Sequence, residues 1–271
     1  MFFLQLVGAV FVALILLILA LYLFIKYKFR SAFGKFAEML KNLGTGAVPP
    51  FRIKLKPIST MVEEGEAIQE FQNEPEQFQQ SCEEFESLGF SRIEVYYVDE
   101  IGLSIGAFVH RGTSTYGVVY DHPVAGVWCD VVRHYEDGSE WTYGSSQDSL
   151  MDYPEGKTIK YFPELSLTEM YEKFLADSPD GQTMVVSDED FVRFFERSYA
   201  EEMDWRIARG GATEAEIRRI CERDGTECTP ETISTIQMQW RTAISSFFAE
   251  RALRRFRKEQ SLTRDEWEQL P

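Results

Sequence analysis

The chain begins with the sequence MFFLQLVGAVFVALILLILALYLFI, residues 1–25, which carries no charged side chain and one strongly polar one, Gln5. A helix needs about 20 apolar residues to cross the hydrocarbon core of a bilayer, because each residue adds only ~1.5 Å of rise. The stretch is therefore long enough to span a membrane with some tilt. We predict one N-terminal transmembrane helix over residues 1–25, and the rest of the chain is interpreted from it.

Two other kinds of apolar segment fit this stretch less well. A cleaved signal peptide has a basic region before a short apolar core and small residues at its cleavage site. Here nothing basic precedes the core, and no small-x-small site ends it. A helix buried in a protein core rarely carries large apolar side chains on every face at a chain terminus. An uncleaved span is the favoured interpretation.

The residues that flank the span predict its orientation. Basic side chains close to a span stay on the cytoplasmic side of the membrane. The chain after residue 25 is basic, and the side chains expected at the membrane interface are Lys26, Lys28, Arg30, Phe33, Lys35 and Phe36. We therefore expect a single-pass protein of the cell membrane, with its N-terminus outside and its C-terminal domain in the cytoplasm. The lipid bilayer is its first expected partner.

Residues 26–60 are predicted to form a basic juxtamembrane stalk and linker. Apolar side chains recur at steps of four, three, four and three residues: Phe29, Phe33, Phe36, Leu40 and Leu43. This stripe is typical of a helix that lies in the lipid interface or packs as a stalk. Two heptads also leave a short coiled coil open. Small residues within the span, Ala9 and Ala13, leave a homodimer open as well.

Residues 61–271 are predicted to form an acidic soluble α+β domain. The chain has a net charge of −16, divided into +7 over residues 1–60 and −23 over residues 61–271. A domain of that charge repels phosphate backbones, so nucleic acid is not an expected partner. The four cysteines include no C-x-x-C pair, and we expect reduced, mostly buried thiols.

The periodicity of residues 61–271 predicts a sheet between two helical regions. Apolar side chains alternate from about Ser91 to Phe162, and Asp137-Gly138 is a tight-hairpin signal. No helix of useful length fits between these strands, so we predict an antiparallel sheet of about five strands flanked by helices. Helix starts are indicated at Pro75, Ser187, Thr213 and Pro230, among others.

One motif has the spacing of a serine nucleophile. Residues 102–106, Gly-Leu-Ser-Ile-Gly, match the pattern G-x-S-x-G. That chemistry needs the serine on a strand-to-helix turn at the edge of a parallel sheet. Here a strand-like stretch follows Ser104 instead of a helix. A hairpin turn is favoured over a hydrolase site.

The densest group of reactive side chains is His122, Cys129, Asp130 and His134. On a strand, Asp130 and His134 share a face and Cys129 points to the opposite face. A metal site needs three or four convergent ligands, so no metal is predicted. Trp205-Arg206 could bind an anion, with structural pairing as the alternative. The candidate pocket residues are Ser104, His122, Asp130, His134, Trp205 and Arg206.

No complete catalytic set and no cofactor motif is found, so no catalytic residue and no cofactor is predicted. The first functional hypothesis is a membrane-anchored, non-enzymatic protein-interaction module that presents an acidic cytoplasmic surface. The alternative is a small-ligand-binding or hydrolytic domain, in which Ser104, His122, Asp130 and His134 would converge on one cavity. A structural membrane component that works by self-association is a third hypothesis. Whether the protein is an enzyme is left undecided, with a non-enzyme favoured.

Overall fold

A seven-stranded sheet lies at the centre of the structure, a computed structural model that describes residues 52–61, 71–99 and 101–259. The strands lie side by side in chain order. They are Lys56–Pro57 (β1), Ser91–Val98 (β2), Leu103–His110 (β3), Thr115–His122 (β4), Gly126–His134 (β5), Glu140–Gly144 (β6) and Lys157–Tyr161 (β7). Neighbouring strands are antiparallel from β1 to β6, whereas β6 and β7 are parallel.

Short connections join the antiparallel strands from β2 to β6, whereas the helix Pro75–Ser87 lies between β1 and β2 in the chain. The turn between β5 and β6 contains Asp137-Gly138, as the sequence predicts, and Gly138 has φ +86°. The side chain of Asp137 accepts hydrogen bonds from both the backbone N–H and the hydroxyl of Ser139. These bonds fix the turn, because a short polar side chain can replace the backbone as a partner there.

The predicted fold class is wrong. The sheet has seven strands instead of about five, and it is mixed instead of antiparallel. Strand β1 is only two residues long, which is too short for its pairing to be deduced from alternation. Residues 145–156 return the chain to the start of β6, and they have no periodicity that would predict the direction of β7.

The membrane prediction falls largely outside the described residues. No described helix is long and apolar enough to cross a membrane. The predicted span over residues 1–25 lies outside the described residues, as do the expected interface residues Lys26, Lys28, Arg30, Phe33, Lys35 and Phe36.

The described α-helices lie on both sides of the sheet in sequence. They are Pro75–Ser87 (α1), Leu167–Asp177 (α2), Asp188–Ala208 (α3), Glu214–Arg223 (α4) and Pro230–Glu259 (α5). The predicted starts at Ser187 and Thr213 are confirmed, because each side chain accepts a hydrogen bond from the backbone N–H three residues later. Such caps satisfy N–H groups that have no partner within the helix.

The helices α1 and α2 cover one face of the sheet, which we call the α1 face. Its core contains Phe78, Phe85, Phe108 and Phe174, all essentially inaccessible to solvent. Helix α1 approaches the sheet closely at Gly117, where a Cβ would lie 2.4 Å from the ring of Phe85.

The opposite face of the sheet, which we call the α3 face, packs against α3. Tyr116 and Val118 of β4 contribute to its core, together with Phe191 of α3. The sheet is therefore the middle layer of three. Beyond α3, α4 packs against α5, and the predicted apolar face of α5 is buried at Ile233, Ile236 and Trp240.

Candidate functional site

A cavity of about 150 Å³ lies between the α3 face and helix α3. We call it the α3 cavity. Strands β4 to β7 supply its floor, and α3 supplies its roof. Its aromatic lining consists of Tyr116, Tyr120, Phe191, Phe194, Phe195 and Tyr199. Its polar lining consists of Asp130, His134, Glu140, Thr142, Ser198 and Glu202.

Two periodicities bring these side chains together. Alternation along β5 places Asp130 and His134 on the α3 face, and Cys129 on the α1 face, as the sequence predicts. Along α3, Phe191, Phe195 and Tyr199 recur every four residues and so point to the same side of the helix.

Asp130 is an acid of the α3 cavity whose pKa is raised. Burial raises the pKa of its carboxyl to about 7; a hydrogen bond from the Tyr120 hydroxyl opposes this rise, and the charge of Glu140 adds to it. Gly144 is its partner across the ladder, and a Cβ there would lie 2.6 Å from Oδ1 of Asp130. Because Gly144 has no side chain, the carboxyl of Asp130 can occupy the space beside it.

A second polar group is centred on Glu140. Its Oε2 accepts a hydrogen bond from Ser198 Oγ at 2.8 Å and lies 3.7 Å from Lys157 Nζ. The ammonium of Lys157 donates to the carbonyl oxygen of Ser198 at 3.0 Å and to its Oγ at 2.5 Å. The side chains of Glu140 and Lys157 are only 11% and 10% exposed, so solvent screens this pair weakly.

His134 contributes a neutral ring to the cavity at neutral pH. Burial lowers the pKa of His134, although the nearby carboxylate of Glu140 opposes this effect. Its Nδ1 lies 3.6 Å from Oε2 of Glu140. The ring stacks on Phe194, with 5.3 Å between centroids and an interplanar angle of 20°. The imidazole of His134 therefore lines the cavity as an uncharged polar group and not as a cation.

Ser104 and His122 do not line the α3 cavity. Ser104 is fully buried in β3, and its hydroxyl donates to the carbonyl oxygen of Phe71 at 2.6 Å. Nδ1 of His122 accepts from the backbone N–H groups of Val124 and Ala125, both at 3.2 Å. Burial lowers the pKa of His122. Both residues thus have structural partners, and the structure brings only Asp130 and His134 together.

Trp205 and Arg206 do not line the α3 cavity. The guanidinium of Arg206 is buried and donates to Oε1 of Glu202 at 2.8 and 3.1 Å. The ring of Trp205 is covered by the guanidinium of Arg209, 3.8 Å from its centroid. Both residues thus have partners within the protein.

Sequence reasoning missed Tyr120, Glu140, Gly144, Lys157 and Ser198. A signal existed for Ser198, because it is a small polar residue beside the apolar stripe of α3. Gly144 had one as well, since a glycine at the end of a strand often marks a close approach. Nothing local marks Glu140, which meets Ser198 across 58 residues of chain.

No group of three or more His, Cys, Asp or Glu residues could hold a metal ion within the described part of the chain. The chain matches no protein-family model, no curated protein and no solved structure.

Proposed function

We propose that the domain binds a small molecule in the α3 cavity. The observation that carries this proposal is an acid of raised pKa, Asp130, in a cavity with aromatic walls. Ligand sites are typically concave and mostly apolar, with a few convergent polar groups, and perturbed pKa values cluster at functional sites. The cavity volume of about 150 Å³ is below the ~300–1,000 Å³ typical of drug-sized ligands, so the ligand has few heavy atoms.

The surroundings of Ser198 favour binding over hydrolysis. Its Oγ already donates to Glu140 and accepts from Lys157. A hydrolase also needs backbone or side-chain donors that stabilise an oxyanion beside the nucleophile. Ser198 lies in the interior of α3, where backbone N–H groups are bonded within the helix.

The test of ligand binding uses a cavity-filling variant of the full-length chain. Val132 lines the α3 cavity, and Val132→Phe places a ring in it. Val185 is 85% exposed, so Val185→Phe is the matched control. A library of small fragments is screened by ligand-observed NMR, and circular dichroism confirms that both variants fold. We expect fragments that bind the wild type and the control but not Val132→Phe. Equal binding to all three proteins would contradict the proposal.

We also propose that the ligand-binding domain is held at the cytoplasmic side of the cell membrane. The support is the uncharged apolar sequence of residues 1–25 and the basic residues that follow it. The full-length chain should remain in the membrane pellet after an alkaline carbonate wash, and a variant without residues 2–25 should not. Release of the full-length chain by the wash would contradict membrane anchoring.

A protein-interaction module is the second candidate function. The charge of −23 over residues 61–271 favours it, because a field of that strength attracts basic partners. Crosslinking in cells, followed by capture through a C-terminal tag, should recover a basic protein at stoichiometric amounts. Its capture should require residues 61–271 and weaken with added salt. Recovery of the chain alone would count against this candidate.

A further inference from the structure

We propose that the ligand of the α3 cavity is a small organic cation of the ammonium type, whose charge meets the carboxylate of Asp130. This inference rests on the proposed ligand-binding function and adds the chemical class of the ligand.

The charged residues that line the cavity are all acidic. They are Asp130, Glu140 and Glu202, and the lining includes no lysine or arginine. Two of the three carboxylates already have cationic partners. Glu140 is compensated by Lys157, and Glu202 by Arg206.

Asp130 is the exception among these three acids. Its described hydrogen-bond donor is the neutral hydroxyl of Tyr120. Within residues 52–61, 71–99 and 101–259, none of the ion pairs of the structure includes Asp130. A buried charge is costly unless it is paired. The carboxylate of Asp130 therefore lacks a cationic partner among the described residues, and a bound cation would supply one.

The walls of the cavity suit a cation as well. Aromatic rings have negatively charged faces that attract ammonium groups, and this attraction is stronger where water is excluded. The lining supplies six aromatic side chains, from β4 and α3. An anion would be repelled by the carboxylates, and a neutral molecule would leave Asp130 without a counter-charge.

The groups that face Asp130 supply no positive charge of their own. They are Tyr120 from β4, Glu140 from β6 and Tyr161 from β7, and the acid Glu202 of α3 lines the same cavity. His134, on the same strand, is neutral because burial lowers its pKa. Because the pKa of Asp130 is about 7, affinity for a cation should rise with pH as the carboxyl ionises.

The test compares three molecules of similar shape and different charge. Choline is the cationic probe, 3,3-dimethyl-1-butanol is its neutral analogue, and 3,3-dimethylbutyrate is an anion. Isothermal titration calorimetry measures their affinity for the full-length chain at pH 7.5. We expect choline to bind at least tenfold more tightly than the neutral analogue, and the anion not to bind.

Two variants assign the effect to the proposed carboxylate. Asp130→Asn keeps the size of the side chain and removes its charge. It should therefore lower the affinity for choline at least tenfold and change the affinity for the neutral analogue by less than twofold. Asp180→Asn is the matched control, since Asp180 is an exposed residue after α2. It should leave both affinities unchanged.

The outcomes separate this inference from the proposed function. If the neutral analogue binds as tightly as choline, or if Asp130→Asn keeps the wild-type affinity for choline, the proposal of a cationic ligand is overturned. The proposal of ligand binding then still stands. The same conclusion follows if choline fails to bind and Val132→Phe abolishes binding of neutral or anionic fragments. If Val132→Phe changes the binding of none of the three probes and of no fragment, both proposals are overturned.

Discussion

Replacing Asp130 by asparagine should stabilise the domain above pH 7. Asparagine has the shape of aspartate and can accept the hydrogen bond from Tyr120, but it carries no charge to bury. The pKa of Asp130 is about 7, compared with an ordinary value of 3.8. Folding therefore favours the protonated acid, and the ionised acid opposes folding.

The sign of the pH dependence follows from where the protons are bound. Below pH 4 the carboxyl is protonated in both the folded and the unfolded chain, so it causes no penalty. Between pH 4 and pH 7 the folded chain binds the extra proton, and its stability falls as the pH rises. Above pH 7 the penalty of the ionised carboxyl is complete. The asparagine variant avoids this penalty at every pH.

The pKa difference sets the size of the effect. A difference of about three pH units, at ~1.36 kcal/mol each, gives a ceiling of about 4 kcal/mol. Asp130 is only half-buried, and solvent screens part of the cost, so we expect about 2 kcal/mol. This value is the gain in unfolding free energy of Asp130→Asn over the wild type at pH 8.

Urea unfolding of the full-length chain, followed by tryptophan fluorescence at pH 4.5 and pH 8, measures this gain. The variant and the wild type should be similarly stable at pH 4.5, and the variant should be more stable at pH 8. Asp180→Asn should match the wild type at both values, within about 0.5 kcal/mol. An asparagine variant that is equally or less stable than the wild type at pH 8 would show that the ionised carboxyl of Asp130 does not oppose folding.

Two further predictions concern the positions that shape the site and its neighbourhood. Gly144→Ala should lower the unfolding free energy by about 1–3 kcal/mol, because its Cβ would meet Oδ1 of Asp130. Much of this loss should disappear in the background Asp130→Ala, and additive losses in urea unfolding would contradict the contact. Glu216→Gln should cost about 2–3 kcal/mol, since fully buried Glu216 pairs with Arg209. The matched control Glu214→Gln removes an exposed pair and should cost less than about 1 kcal/mol, and equal melting temperatures would contradict the difference.

Much of the fold follows from local patterns in the sequence. The helix that begins after Ser187 was predictable because its cap and its four-residue apolar repeat agree with each other. The turn at Asp137-Gly138 was predictable because a short polar residue followed by glycine favours a tight hairpin. The direction of β7 was not predictable, because it depends on residues 145–156, which have no regular structure.

The candidate site could be predicted only in part, for a related reason. Asp130 and His134 lie on one strand, so the period of two places them on a common face. Glu140 and Ser198 come together through the packing of α3 on the sheet, which no local pattern specifies. The G-x-S-x-G spacing at Ser104 had no such partner, and the structure places that residue in a buried strand.

We propose that the carboxylate of Asp130 is the charge that a cationic ligand meets. A carbon-13 NMR titration of the Asp130 carboxyl in the full-length chain, with and without choline, tests this proposal. Asp130→Asn assigns the signal. We expect a titration midpoint near pH 7 without choline, and a lower midpoint with choline, because a bound cation favours the ionised acid. A midpoint that does not move when choline is added would contradict the proposal.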